Sequence, residues 1–133
     1  MDVLEILIIL AVFYIIDIVY LKIVSGSYNS AIKKIQGSPL RIKGGFAFIT
    51  YLIMTFALYY FIISKGGNYL DAVVLGVSLY GIFNFTNMAI LKDWPISLAI
   101  TDTIWGGVLF LLTIIVYQKL TPKKYILSII NGK

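Results

Sequence analysis

Four stretches of this chain are too long and too apolar to rest in water: Val3 to Leu21, Gly44 to Ser64, Leu70 to Leu91 and Ile96 to Gln118. A helix needs about 20 such residues to cross roughly 30 Å of hydrocarbon, and lipid admits only backbone whose hydrogen bonds close internally. The runs are continuous rather than alternating in segments of about ten, which sets aside a membrane β-barrel. The sequence therefore predicts an all-α integral membrane protein, one domain over 1–133 folded as a four-helix transmembrane bundle. The composition agrees, since 60% of the residues are hydrophobic and 13% charged, against roughly 25% charged in a soluble domain.

The connections carry most of the charge. The first, 22–43, holds Lys22, Lys33, Lys34, Arg41 and Lys43 with no acid, and its stretch YNSAIKKIQ places Tyr28, Ile32 and Ile35 at helical spacing, as a short helix lying in the headgroup zone would. The second and third, around KGGN and KDWP, are tight turns, so spans two to four are consecutive hairpins. Asp71 caps the third span at its start. The basic tail 119–133, with YILSII in it, is expected to be a further interfacial segment. Asp2 and Glu5 stand where a signal peptide would be basic, so the first run reads as a retained anchor.

Lysines and arginine nearly balance across the membrane: Lys22, Lys33, Lys34, Arg41, Lys43 and Lys92 on one side, Lys65, Lys119, Lys123, Lys124 and Lys133 on the other. The first span, acidic before and basic after, favours termini outside and the first loop in the cytoplasm. A net charge of +5 is explained by lysines at span ends meeting lipid headgroups, and nucleic acid is not an expected partner. The absence of Cys and His excludes disulfides, the usual zinc sites, catalytic triads and imidazole switches. No cofactor is indicated.

Against this background, polar residues inside the spans stand out. Asp17 lies five positions before Lys22, Asn84 and Asn87 eight and five before Lys92, and Asp102 nine after Asp93. At about 1.5 Å per residue these offsets are about 8 to 14 Å, all counted from the same side. Tyr80, Asn84, Asn87 and Leu91 share one helix face. Folding about KDWP sets Asn87 opposite Thr101 and Asn84 opposite Thr103, with Asp102 in reach of both amides. Trp105 sits on the Asp102 face, and Tyr20 stands beside the face of Tyr14, Asp17 and Leu21. A charge at mid-bilayer costs about 2.5 to 3.5 kcal/mol, so the two aspartates need a proton, hydrogen bonds or a bound cation. One proton shared between Asp17 and Asp102 is a natural arrangement if the first span meets the fourth. Asn, Thr and Tyr also tie membrane helices together, while Trp94 and most tyrosines read as interface anchors. Ala99, Thr103 and Gly107, like Ala72 and Gly76, form small-residue stripes suited to helix contact.

The stretch YGIFNFTNMAILKDWPISLAITDTIWGG resembles the signature of an uncharacterised family of small membrane proteins, domain of unknown function 2177. The match rests on Tyr80, Thr86, Asn87, Trp94, Pro95, Asp102, Trp105 and Gly106, and in the first half on Asp17. The resemblance implies the four-span architecture over essentially the whole chain and supplies no activity. Asn84 stands where the family commonly has an acid, which weakens any mechanism requiring three carboxylates.

Three functions compete. The first is an intramembrane site that binds or passes a small solute, proton or cation, with Asp17, Asn84, Asn87, Asp102, Tyr80, Thr101, Thr103 and Trp105 as candidates; four helices are few for a pathway, so it predicts a homo-oligomer. The second is a scaffold whose polar layer only locks the bundle. The third is a lipid-active enzyme using Asp17 or Asp102 as acid, base or metal ligand. The lack of His, Cys and a phosphate-binding basic cluster in the layer weighs against it.

Overall fold

The computed structural model describes residues 2–122, 127 and 130–132. Four helices follow one another: α1 Val3–Gln36, α2 Gly44–Phe61, α3 Tyr69–Ile90 and α4 Ile96–Leu120. All four, α2 with the 3-10 turn Ile63–Lys65 that continues it, are long and apolar enough to span a membrane, and no strand occurs among the described residues. Most of the expected tail segment, including nearly all of YILSII, lies outside the described residues.

Local chemistry sets the helix ends. Asp2 and Glu5 form a capping box, with Leu4 N–H donating to Asp2 at 3.0 Å and Asp2 N–H to Glu5 at 3.4 Å, which satisfies backbone donors the helix start would leave open. Asn68 and Asp71 repeat the device at α3, each side chain 3.0 Å from the other's backbone N–H. Gly37, at φ 75, closes α1 by donating to the Lys33 carbonyl; this left-handed position suits glycine.

The first connection differs from expectation. It contains no separate interfacial helix, because α1 runs unbroken for 34 residues, about 51 Å at 1.5 Å per residue. Its far half is held by packing: Tyr28, Ala31, Ile32 and Ile35 meet Met88, Leu91, Trp94, Leu98 and Ala99. The stripe at Tyr28, Ile32 and Ile35 is real, but it faces protein. The linking segment shortens to 37–43, folded back so that Leu40 N–H donates to Asn29 at 2.9 Å.

Helices α1 and α4 run antiparallel in strict register. Glu5 meets Tyr117, Asp17 meets Trp105 and Tyr20 meets Asp102, so each step along α1 matches one step back along α4. Tyr28 against Trp94 continues the series. Lys22 therefore stands level with the first turns of α4, exposed, where its stem can lie along lipid while the ammonium reaches headgroups.

The chief contacts join α3 to α4, α4 to α1 and α1 to α2, leaving α2 and α3 nearly unjoined along their lengths. The core around Ile9, Phe13, Leu58, Ala72, Phe110 and Ile114 binds all four, with Phe13 edge-on to Phe110 at 4.9 Å between ring centres. Outward, Phe46, Ile53, Phe56, Val74, Ile82 and Ile104 are exposed, an apolar coat that suits lipid and not water. Thr113 is fully buried in this core, and its hydroxyl has no partner among the described residues. Thr113→Val should therefore raise stability by about 1 kcal/mol, readable as an upward shift in thermal unfolding in detergent; an unchanged or lower midpoint would show that the hydroxyl is satisfied.

Candidate functional site

The polar layer forms where all four helices converge. Asp17 on α1 is 5% exposed and Asp102 on α4 is 3% exposed. Trp105 Nε1 on α4 donates to one oxygen of Asp17 at 2.7 Å, and the Tyr51 hydroxyl on α2 donates to the other at 2.6 Å. Asn84 Nδ2 on α3 donates to Asp102 at 2.6 Å, and the Tyr20 hydroxyl on α1 donates to its second oxygen at 3.3 Å. Each carboxylate on the α1–α4 pair is thus held by an aromatic donor from the opposite helix. The two aromatics, Tyr20 and Trp105, stack at 4.4 Å with planes 10° apart.

A second line of bonds ties the layer to the turn between α3 and α4. Trp94 Nε1 donates to the Asn84 carbonyl at 3.3 Å, and the Asn84 amide also donates to the Tyr80 carbonyl at 3.0 Å. Trp94 is 7% exposed, so it is not an interface anchor but a buried positioning group. No lysine or arginine pairs with Asp17 or Asp102 among the described residues.

Both carboxylates line a cavity of about 380 Å³ between α2 and α3, whose other walls include Tyr28, Met54, Leu79 and Tyr80. Exposed Leu21, Thr50, Ile53 and Phe83 border it, which gives it a largely apolar rim. Tyr80 reaches across, its hydroxyl 4.0 Å from Met54 Sδ.

The expected residues divide. Asp17, Asn84, Asp102, Trp105 and Tyr80 meet at the layer or its cavity. Asn87 is half-buried on α3 and makes no side-chain hydrogen bond among the described residues. Thr103 turns its hydroxyl back to the Ala99 carbonyl of its own helix at 2.7 Å. Thr101 is exposed on a different groove. The α3–α4 hairpin brings Asn84, and not Asn87, onto Asp102. Tyr20, Tyr51 and Trp94 complete the layer, and of the three only Tyr51, eight positions after Lys43, falls in the depth range of the aspartates on sequence.

The predicted membrane protein family DUF2177 has a family model that matches residues 3–117. The chain belongs to this family. The DUF2177 match covers α1 to α3 and nearly all of α4, so it takes in every residue of the layer. No curated protein and no solved structure matches the chain.

The layer's chemistry follows from its donors. An ionised carboxylate only accepts hydrogen bonds, whereas a protonated one must also donate. Trp105 and the Asn84 amide nitrogen can only donate. Tyr20 and Tyr51 can reverse, because a hydroxyl both donates and accepts. A proton arriving at Asp17 therefore points to Tyr51, and one arriving at Asp102 points to the hydroxyl of Tyr20 or of Tyr28, which also faces it. Among the described residues no group of three or more acidic, His or Cys side chains could hold a metal ion.

Proposed function

We propose that this multi-pass membrane protein binds a small, positively charged solute or a proton at Asp17 and Asp102, reached sideways through the cavity between α2 and α3. One observation carries the reading: two buried carboxylates without a cationic partner among the described residues share a cavity walled by aromatic and aliphatic side chains. Two such charges demand compensation in a low-dielectric setting. The rings of Tyr28, Tyr80 and Phe83 beside them favour an organic ammonium, which aromatic faces attract. Four helices are few for a full pathway, so we extend the proposal to a homo-oligomer, to be checked by cross-linking in native membranes.

The competing scaffold reading has an observation of its own, since each oxygen of both carboxylates already has a donor. Thermal unfolding in detergent from pH 5 to 9 separates the two, with tetramethylammonium, Na⁺ or Mg²⁺ added to wild type and to Asp102→Asn. A ligand held at 100 times its Kd stabilises by about 2.7 kcal/mol, so a wild-type shift of that order, absent from the variant, is the expected result. Superimposable curves under every condition would leave the layer as helix-to-helix glue.

A further inference from the structure

A second, larger cavity of about 780 Å³ lies between the far half of α1 and the first turn of α4. Small side chains make it: Gly26, Ser27 and Ser30 face Ser97 and Thr101, with Lys34 and Asp93 also on its walls. All six of these polar side chains are exposed; none of the four hydroxyls has a hydrogen-bond partner among the described residues, and neither Lys34 nor Asp93 has an ionic one, so all are available to a ligand. The first turn of α4 is also unsatisfied. Pro95 supplies no side-chain cap, no acid stands in the turn, and the first backbone bond is from Ala99 N–H, which leaves the N–H groups of Ile96, Ser97 and Leu98 open among the described residues. The segments at this end of the spans carry Lys22, Lys33, Lys34, Arg41, Lys43 and Lys92 in sequence, with Asp93 the one acid beside them; Lys34 is the cation on the groove.

These groups suit a phosphate, which takes donors from a lysine, hydroxyls and helix N-terminal N–H groups. Asp93 does not; beside a bare phosphate it would repel. A ligand carrying its own ammonium removes that conflict. Trp94, the aromatic residue on these walls, is packed edge-on by Tyr28 and Phe83, so a quaternary ammonium finds no aromatic cage, whereas a primary ammonium can donate to Asp93. We propose that this groove binds a phosphoethanolamine group, its phosphate on Lys34, the serine hydroxyls and the start of α4, its ammonium on Asp93. The site is independent of the Asp17–Asp102 layer.

The test is thermal unfolding of the delipidated protein in a non-ionic detergent, titrated with dihexanoyl-phosphatidylethanolamine, the matching phosphatidylglycerol and phosphatidylcholine, and soluble phosphoethanolamine. A saturable rise in midpoint with the ethanolamine lipid is expected, greater than with the other two lipids. Lys34→Gln should weaken its apparent Kd roughly tenfold or more, the scale of one lost charged hydrogen bond. Asp93→Asn should erase the preference over phosphatidylglycerol. Both residues are outside the core, and Asp102→Asn should respond as wild type does. No rise in wild type, an unaltered Lys34→Gln, or equal response to all three lipids would overturn the proposal. The soluble compound distinguishes the source: equal potency assigns a free metabolite, and lesser potency a membrane lipid.

Discussion

Gly106→Leu should yield no folded bundle. A side chain starting at Gly106 would place its Cβ 2.5 Å from the Tyr80 ring and 2.6 Å from the Gly76 carbonyl oxygen, and one at Gly76 would run into the Gly106 backbone. Backbone cannot step aside as a flexible side chain can, so α3 and α4 would have to part. Overpacking in a formed core costs about 1 to 3 kcal/mol, occasionally more, and here the parting would also pull Asn84 from Asp102, 2.6 Å away. We expect more than 3 kcal/mol from Gly106→Leu and Gly76→Leu alike, at the upper end of such effects, seen as loss of the monodisperse peak in size-exclusion chromatography. Gly81→Ala is the control, because its new methyl meets Thr103 Cγ2 at 3.5 Å, an ordinary contact. Normal folding of either leucine variant would mean the seam is looser than the structure has it.

Substitutions at the two aspartates should separate stability from function. Asp102→Leu leaves the Asn84 amide with the Tyr80 carbonyl alone and takes the acceptor from the Tyr20 hydroxyl in a buried place, at about 1 to 3 kcal/mol for each lost acceptor. Asp102→Asn keeps an acceptor for Asn84, and its amide can donate to Tyr20 once that hydroxyl reverses. The same holds at Asp17, where the carbonyl of Asn would accept from Trp105 and the amide would donate to Tyr51. Removing the charge also relieves the cost of keeping it within lipid, about 2.5 to 3.5 kcal/mol at mid-bilayer and less nearer the surface. Both Asn variants should therefore unfold at or above the wild-type midpoint while losing the response to cations or pH, a trade common at functional sites. Asn variants several degrees less stable than wild type would instead favour a purely structural layer.

The spans and the depth of the polar residues were legible because apolar length and 1.5 Å rise fix both without tertiary information. Asp17 and Asp102 stood out for the same reason, being acids where lipid penalises them. Tyr20, Tyr51 and Trp94 did not, because an aromatic ring with one polar atom suits a membrane interface and a buried donor equally well; only the packing of α1 on α4 and α2 decides between them. The reach of α1 was hidden by Lys22, which reads as the end of an apolar run. On an exposed face a lysine can snorkel and the helix continues. Thr101 and Thr103 fell on either side of Asp102, so a turn of about 100° per residue was enough to send them to other surfaces.

The chain has two tryptophans, and both indole N–H groups end on the same network, Trp105 on Asp17 and Trp94 on Asn84. Tryptophan emission, excited selectively above the absorption of the ten tyrosines, thus reports on the layer and the turn tied to it. Arrival of a charge or proton there would change the field across two rings at once, so emission wavelength and lifetime can follow occupancy in the purified protein, in detergent or in lipid vesicles, with no dye attached and no substitution made.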